Sequence, residues 1–167
     1  MSGRELFLTG MSFEEFVNTD TSTYKEKTLE IYDFINFDDE YIEKIKSINK
    51  VVNVLVCAEM WCPDCMINVP VLEKMRKLNS NINISIVKKE GNESFFSKYT
   101  QGGVIKIPTF VFYDENFNEL GCFVEHPKKV TEVISKGNQP NIIVTMRKYR
   151  KGEYAQETLK DILEIIG

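Results

Sequence analysis

The chain has 167 residues, with 21 lysines and arginines against 25 aspartates and glutamates, for a net charge of −4. That length suits one domain with a single core, and 43% hydrophobic with 28% charged residues excludes disorder and collagen-like repeats. An acidic chain without a concentrated basic face is a poor match for nucleic acid, and no apolar run reaches the roughly 18 residues that span a bilayer. The first seventeen residues, MSGRELFLTGMSFEEFV, carry no charged-then-apolar leader pattern, so the expected location is cytoplasmic. In chain order, Ser12 followed by Glu15 reads as a capping box opening a short helical turn, and 18–23 as a polar linker. Tyr24, Leu29, Ile31, Tyr32 and Ile35 mark a helical stripe. Asp38 or Asp39 then caps a second helix carrying Tyr41, Ile42, Ile45 and Ile48.

The nearly continuous β-branched run Val51–Ala58 predicts an interior strand covered on both faces. Helical spacing resumes at Met66 and stops at Asn79-Ser80-Asn81. Strict alternation over Ile82–Val87 gives a second strand. Glu93–Tyr99 reads as a short helix, broken by Gln101-Gly102-Gly103. Thr109–Tyr113 and Glu119–Val124, joined by the polar loop Asp114–Asn118, read as a hairpin. Beyond Pro127 the chain turns helical, pauses at Gly137–Pro140, and ends in a helix from about Glu153 to Ile166. The order, helices followed by β-α-β-α-β-β-α, predicts an α/β fold with a mixed central sheet flanked by helices.

Chemistry concentrates at Trp61-Cys62-Pro63-Asp64-Cys65, between the first strand and the helix that follows. A redox cysteine reacts as its thiolate, and a helix N-terminus favours that charge through unpaired N–H groups and the helix dipole. Cys65, one turn on, is within reach to resolve a mixed disulfide. Pro63 suits the first helical turn, where its missing N–H has no partner to lose. Trp61 offers a flat surface for a docking chain. As half of a zinc site the pair lacks partners, because Cys57, Cys122 and His126 lie at irregular spacing and largely within predicted strands, so no metal is expected. Cys57 and Cys122 read as inert core thiols, His126 as a loop residue, and the basic run 146–151 (MRKYRK) as a solvated helix face or turn.

This strand–Cys-x-x-Cys–helix, with Pro70 five residues beyond Cys65 and Ile107-Pro108-Thr109 at the head of a strand, resembles thioredoxin. The resemblance implies a thioredoxin fold with core 38–125 plus 153–167, an N-terminal helical extension over 1–37 and an insertion over 126–152. It implies a nucleophilic Cys62, a resolving Cys65 and a cis Pro108 facing them, with the Ile107 backbone turned toward an incoming extended peptide. The activity implied is reduction of disulfides in proteins or small molecules. No organic cofactor takes part, and a thioredoxin-reductase-type flavoprotein restores the dithiol. Two rivals remain: a metal or thiol-ligand carrier, and an interaction module that kept the fold without turnover.

Three departures from the thioredoxin pattern stand out. Pro63-Asp64 replaces the usual Gly-Pro, as in a related subgroup with narrower substrate choice, and the Asp64 charge opposes a Cys62 thiolate. Val56 occupies the position of the customary buried carboxylate, leaving Glu59 or Asp64 as substitutes. The glycine that customarily ends the last strand is replaced near Glu125.

Overall fold

The computed structural model describes residues 1–100 and 102–167. Gln101, part of the break expected at 101–103, lies outside the described residues. The elements in chain order are α1 (Gly3–Phe7), α2 (Phe13–Val17), α3 (Thr23–Phe34), α4 (Asp39–Lys46), β1 (Val52–Cys57), α5 (Pro63–Leu78), β2 (Ile82–Val87), α6 (Glu93–Phe96), β3 (Thr109–Tyr113), β4 (Glu119–Val124), α7 (Lys128–Ser135), α8 (Gln139–Arg150) and α9 (Ala155–Ile166). A 3-10 turn over Ser97–Tyr99 extends α6.

The sheet runs β2-β1-β3-β4, with β1 parallel to β2 and antiparallel to β3, and β3 antiparallel to β4. A parallel pair requires a crossover, which α5 supplies. All six residues of β1 are buried, and Val54, Leu55 and Val56 are wholly so. Each such aliphatic side chain contributes about 1.5–3 kcal/mol. The continuous β-branched run therefore sits at the centre, as its pattern predicts.

Helices flank the sheet. α5 packs on β2, α3 and α9, while α9 packs on β4. On the sheet's other side, α1 and its loop are tied down: the Ser85 hydroxyl donates to the Phe7 carbonyl at 2.5 Å, and Phe117 packs against both Phe7 and Tyr113. Met11 pairs with Ile86 on the outer rim of β2, with N–H···O distances of 2.8 Å in both directions. The Ser12–Glu15 capping box is present at the start of α2.

Several expectations need correction. Helix α1 precedes the first predicted turn, and its five residues are too short to leave a periodic signal. α8 begins at Gln139 with Asn138 as its N-cap and Pro140 in its first turn, so the proline starts the helix and the pause ends earlier. Cys122 is exposed, not core, because β4 is an edge strand that leaves Glu119, Leu120 and Cys122 open to solvent. The basic run is only partly solvated: Arg147, Lys148 and Arg150 are exposed, but Tyr149 is fully buried.

Candidate active site

The two cysteines lie just past the C-terminal end of central strand β1, where α5 begins. Cys62 is the N-cap residue of α5 and Pro63 sits in its first turn. The Cys62 N–H donates to the Glu59 carbonyl at 3.2 Å, and its own carbonyl accepts from Met66 N–H at 3.1 Å, which fixes the entry of the chain into the helix. Cys62 and Cys65 are both free thiols, only 5% and 2% exposed. Trp61 beside them is 57% exposed.

The Ile107–Pro108 bond is cis. The Cys62 thiol donates to the Ile107 carbonyl at 3.6 Å, so the expected meeting of these two segments is present. Pro108 is buried at the head of β3, and its carbonyl accepts from Glu125 N–H at 2.8 Å, tying the end of β4 to the same corner. Glu125 has φ +65°, a left-handed conformation that favours glycine, and it lies near the strand end where the thioredoxin pattern would have one.

Electrostatics separate the two thiols. The hydrogen bond from Cys65 holds the Cys62 thiol below its ordinary value, assisted by the backbone of Cys65 and Asp64 and opposed by burial and the Asp64 charge. Burial, joined by the hydrogen bond to Cys62 and its charge, pushes Cys65 well up. The two buried thiols are thus displaced in opposite directions, Cys62 toward its thiolate and Cys65 toward its protonated form. Burial also pushes Cys57 up to about 12, in keeping with an inert thiol.

Asp64 reaches a network that no sequence pattern indicated. Its Oδ1 accepts from the Tyr149 hydroxyl at 2.9 Å and lies 3.5 Å from His126 Nε2. The fully buried Asn68 amide nitrogen lies 2.8–3.0 Å from the Tyr149 hydroxyl and the carbonyls of Asp64 and Glu125. Its two hydrogens are shared among these three acceptors. Asn68 Oδ1 accepts from Thr158 at 2.8 Å, bringing α9 into the same network. Burial, followed by the Asp64 charge, pushes the Tyr149 phenol up, so it stays a donor. His126 is a loop residue, as expected, yet its ring is drawn into this corner, and Nδ1 lies 3.2 Å from Glu125 Oε1.

Asp64, Glu125 and His126 place one donor atom each within 4.8 Å of one another, the spacing of a metal cluster. Both imidazole nitrogens already face a carboxylate, however, and Lys106 Nζ stands 3.7 Å from Glu125 Oε2. The three side chains therefore already face one another, and Lys106 stands against the outer carboxylate. Of the residues considered as substitutes for the missing buried acid, Asp64 is engaged by Tyr149 and His126. Glu59 presents its carbonyl to Cys62, and burial raises its carboxyl. Val56 itself is wholly buried.

A family model described as "Thioredoxin" matches residues 10–142, extending on both sides of the 38–125 core on which the sequence resemblance rested. A protein of unknown function from Pseudomonas aeruginosa superposes with a TM-score of 0.87 at 31% identity, covering 99% of this chain and 97% of that one. An HIV epitope-scaffold superposes at 0.86 with 29% identity, covering 99% and 98%. The extension and the α7–α8 segment are therefore shared with both structures. A curated relative, a thioredoxin of Mycoplasmopsis pulmonis, is 34% identical over 71 residues, or 40% of this chain, and the match spans 62% of that relative's length. Fold, motif order and family match agree: the chain belongs to the thioredoxin family.

Proposed function

We propose that the chain is a thiol–disulfide oxidoreductase that reduces disulfides through Cys62 and Cys65. Membership of the thioredoxin family favours redox activity of this general kind. The observation that carries the reading is geometric: two free thiols in the first turn of α5, with Cys62 at its N-cap against the Ile107 carbonyl that precedes the cis Pro108. The Cys62 thiolate attacks one sulfur of a substrate disulfide. That S–S bond breaks, its second sulfur leaves as a thiolate and takes a proton, and a mixed disulfide forms. Cys65 then loses its proton and attacks Cys62 Sγ, releasing the substrate's first sulfur and leaving a Cys62–Cys65 disulfide. Two electrons pass from the dithiol to the substrate. A two-electron donor, of the thioredoxin-reductase type, must return them.

Trp61, Ile107 and Pro108 are the residues a substrate would meet in this reading: the exposed Trp61 ring precedes Cys62, whose thiol donates to the Ile107 carbonyl before Pro108. An extended peptide next to the disulfide would pair with the Ile107 backbone. Asp64 moderates Cys62, and Pro63 starts the helix that presents it. A reducing, cytoplasmic setting suits this direction of transfer.

Cys62→Ser should abolish insulin disulfide reduction with dithiothreitol as donor, whereas unchanged turnover would remove the cysteines from the active centre. A redox titration against glutathione should place the pair on the reducing side. A potential at the oxidising end of the known range reverses the direction of transfer.

A further inference from the structure

The reaction above uses Asp64 only as a neighbour of the nucleophile, yet its carboxylate is held by groups from two other segments. Tyr149 donates to it from α8, and His126 approaches it from the loop after β4. The imidazole has carboxylates at both ends, with Asp64 Oδ1 3.5 Å from Nε2 and Glu125 Oε1 3.2 Å from Nδ1. A neutral imidazole has one N–H and one lone pair, so either tautomer would aim its lone pair at a carboxylate. A protonated ring would instead place positive charge between the two carboxylates.

The seat is largely covered, since the His126 and Asp64 side chains are 13% and 17% exposed, so a charge here is screened less than on the open surface. Other charged groups stand near the ring, among them Arg150 of α8, whose charge acts on Tyr149. Lys106, preceding β3, lies against Glu125. Lys128 and Glu132 of α7, Asp161 of α9 and Cys122 of β4 line a cavity that His126 also lines. Lys128 Nζ pairs with Glu164 at 2.8 Å, and Asp161 accepts from Lys128 N–H at 2.7 Å. The Tyr149 ring meets the imidazole edge-on at 5.6 Å.

We propose that His126 is a positioning residue of the dithiol site: as an imidazolium clamped between Asp64 and Glu125, it offsets the Asp64 charge that otherwise opposes the Cys62 thiolate. This rests on the redox reading of Cys62 and adds its control by protonation. An imidazolium loses its charge as pH rises, so the offset is present on the acid side and fades toward the alkaline side. Cys62 then keeps more thiolate at mildly acid pH than its aspartate neighbour alone would allow.

The test is the rate of Cys62 alkylation by iodoacetamide in the reduced protein from mildly acid to alkaline pH, with peptide mapping to separate Cys62 from the exposed Cys122. It reads thiolate without turnover, so its failure leaves the disulfide-reduction assay to judge the redox reading separately. In His126→Asn, the rate near pH 6 should fall roughly three- to tenfold, with the gap closing above about pH 8. In an Asp64→Asn background, which removes one of the two anions facing the ring, adding His126→Asn should have a clearly smaller effect. His126→Gln serves the same purpose if the asparagine variant does not fold. Superposed profiles for native protein and variant, a gap constant with pH, or a full effect persisting in the Asp64→Asn background would each overturn the proposal.

Discussion

The Tyr149 hydroxyl joins α8 to the first turn of α5, donating to Asp64 and lying 2.8 Å from the Asn68 amide nitrogen in a fully buried position. Tyr149→Phe keeps the ring in place and removes only the oxygen. Because one lost partner is a carboxylate, the change should cost about 1–3 kcal/mol, read as a lower urea midpoint with an unchanged m-value. The sequence made Cys62, Cys65 and Pro108 legible because each announces itself within a few residues: a Cys-x-x-Cys between strand and helix, and a proline opening a strand. Tyr149 announces nothing of the kind, since it sits inside MRKYRK among residues that face water. In the structure the buried Thr145, four residues earlier, shares its helical face. Asp64, His126 and Tyr149 meet only through tertiary structure, and a chain separation of 85 residues between Asp64 and Tyr149 leaves no local trace.

At the scale of elements, the strands were readable because period-two and continuous apolar patterns survive burial. The N-terminal segment was readable only in part, because α1 and α2 have five residues each and are held by docking rather than by periodicity. Gly10 is central to that docking. A Cβ there would overlap Ser85 Oγ and stand 3.0–3.1 Å from the Ile86 backbone, which cannot move without disturbing β2. Gly10→Ala should therefore cost about 1–3 kcal/mol. It should also raise hydrogen exchange selectively at Met11 and Ile86, whose paired N–H groups depend on that approach. Uniform exchange across the chain would place the effect elsewhere. Gly121 has a similar task at the other edge, where a Cβ would lie 2.9 Å from the Ile165 side chain of α9.

For the molecule as a whole, the thiols tie stability to pH on the alkaline side. Cys57 is pushed up to about 12 by burial and Cys65 is raised well above 9.0, whereas the unfolded chain releases these protons near 9. The folded form thus holds protons that the unfolded form gives up, so this contribution is complete below about pH 9 and is lost as pH rises toward 12. Cys62 has the opposite sign: its lowered value stabilises the fold above the unfolded value and loses that effect as pH falls. Thermal midpoints of the reduced protein should decline above about pH 9, and Cys57→Val should flatten the decline. Among the described residues no helix is long and apolar enough to cross a membrane. The sheet has another kind of boundary in Met11, which occupies the outer rim of β2 at Ile86. An uncovered strand edge is a template on which another chain can add a strand. By laying one residue of its own backbone on that rim, the chain interrupts the template from within. Growth of the sheet from copy to copy would first have to peel away the segment that Gly10 lets lie so close.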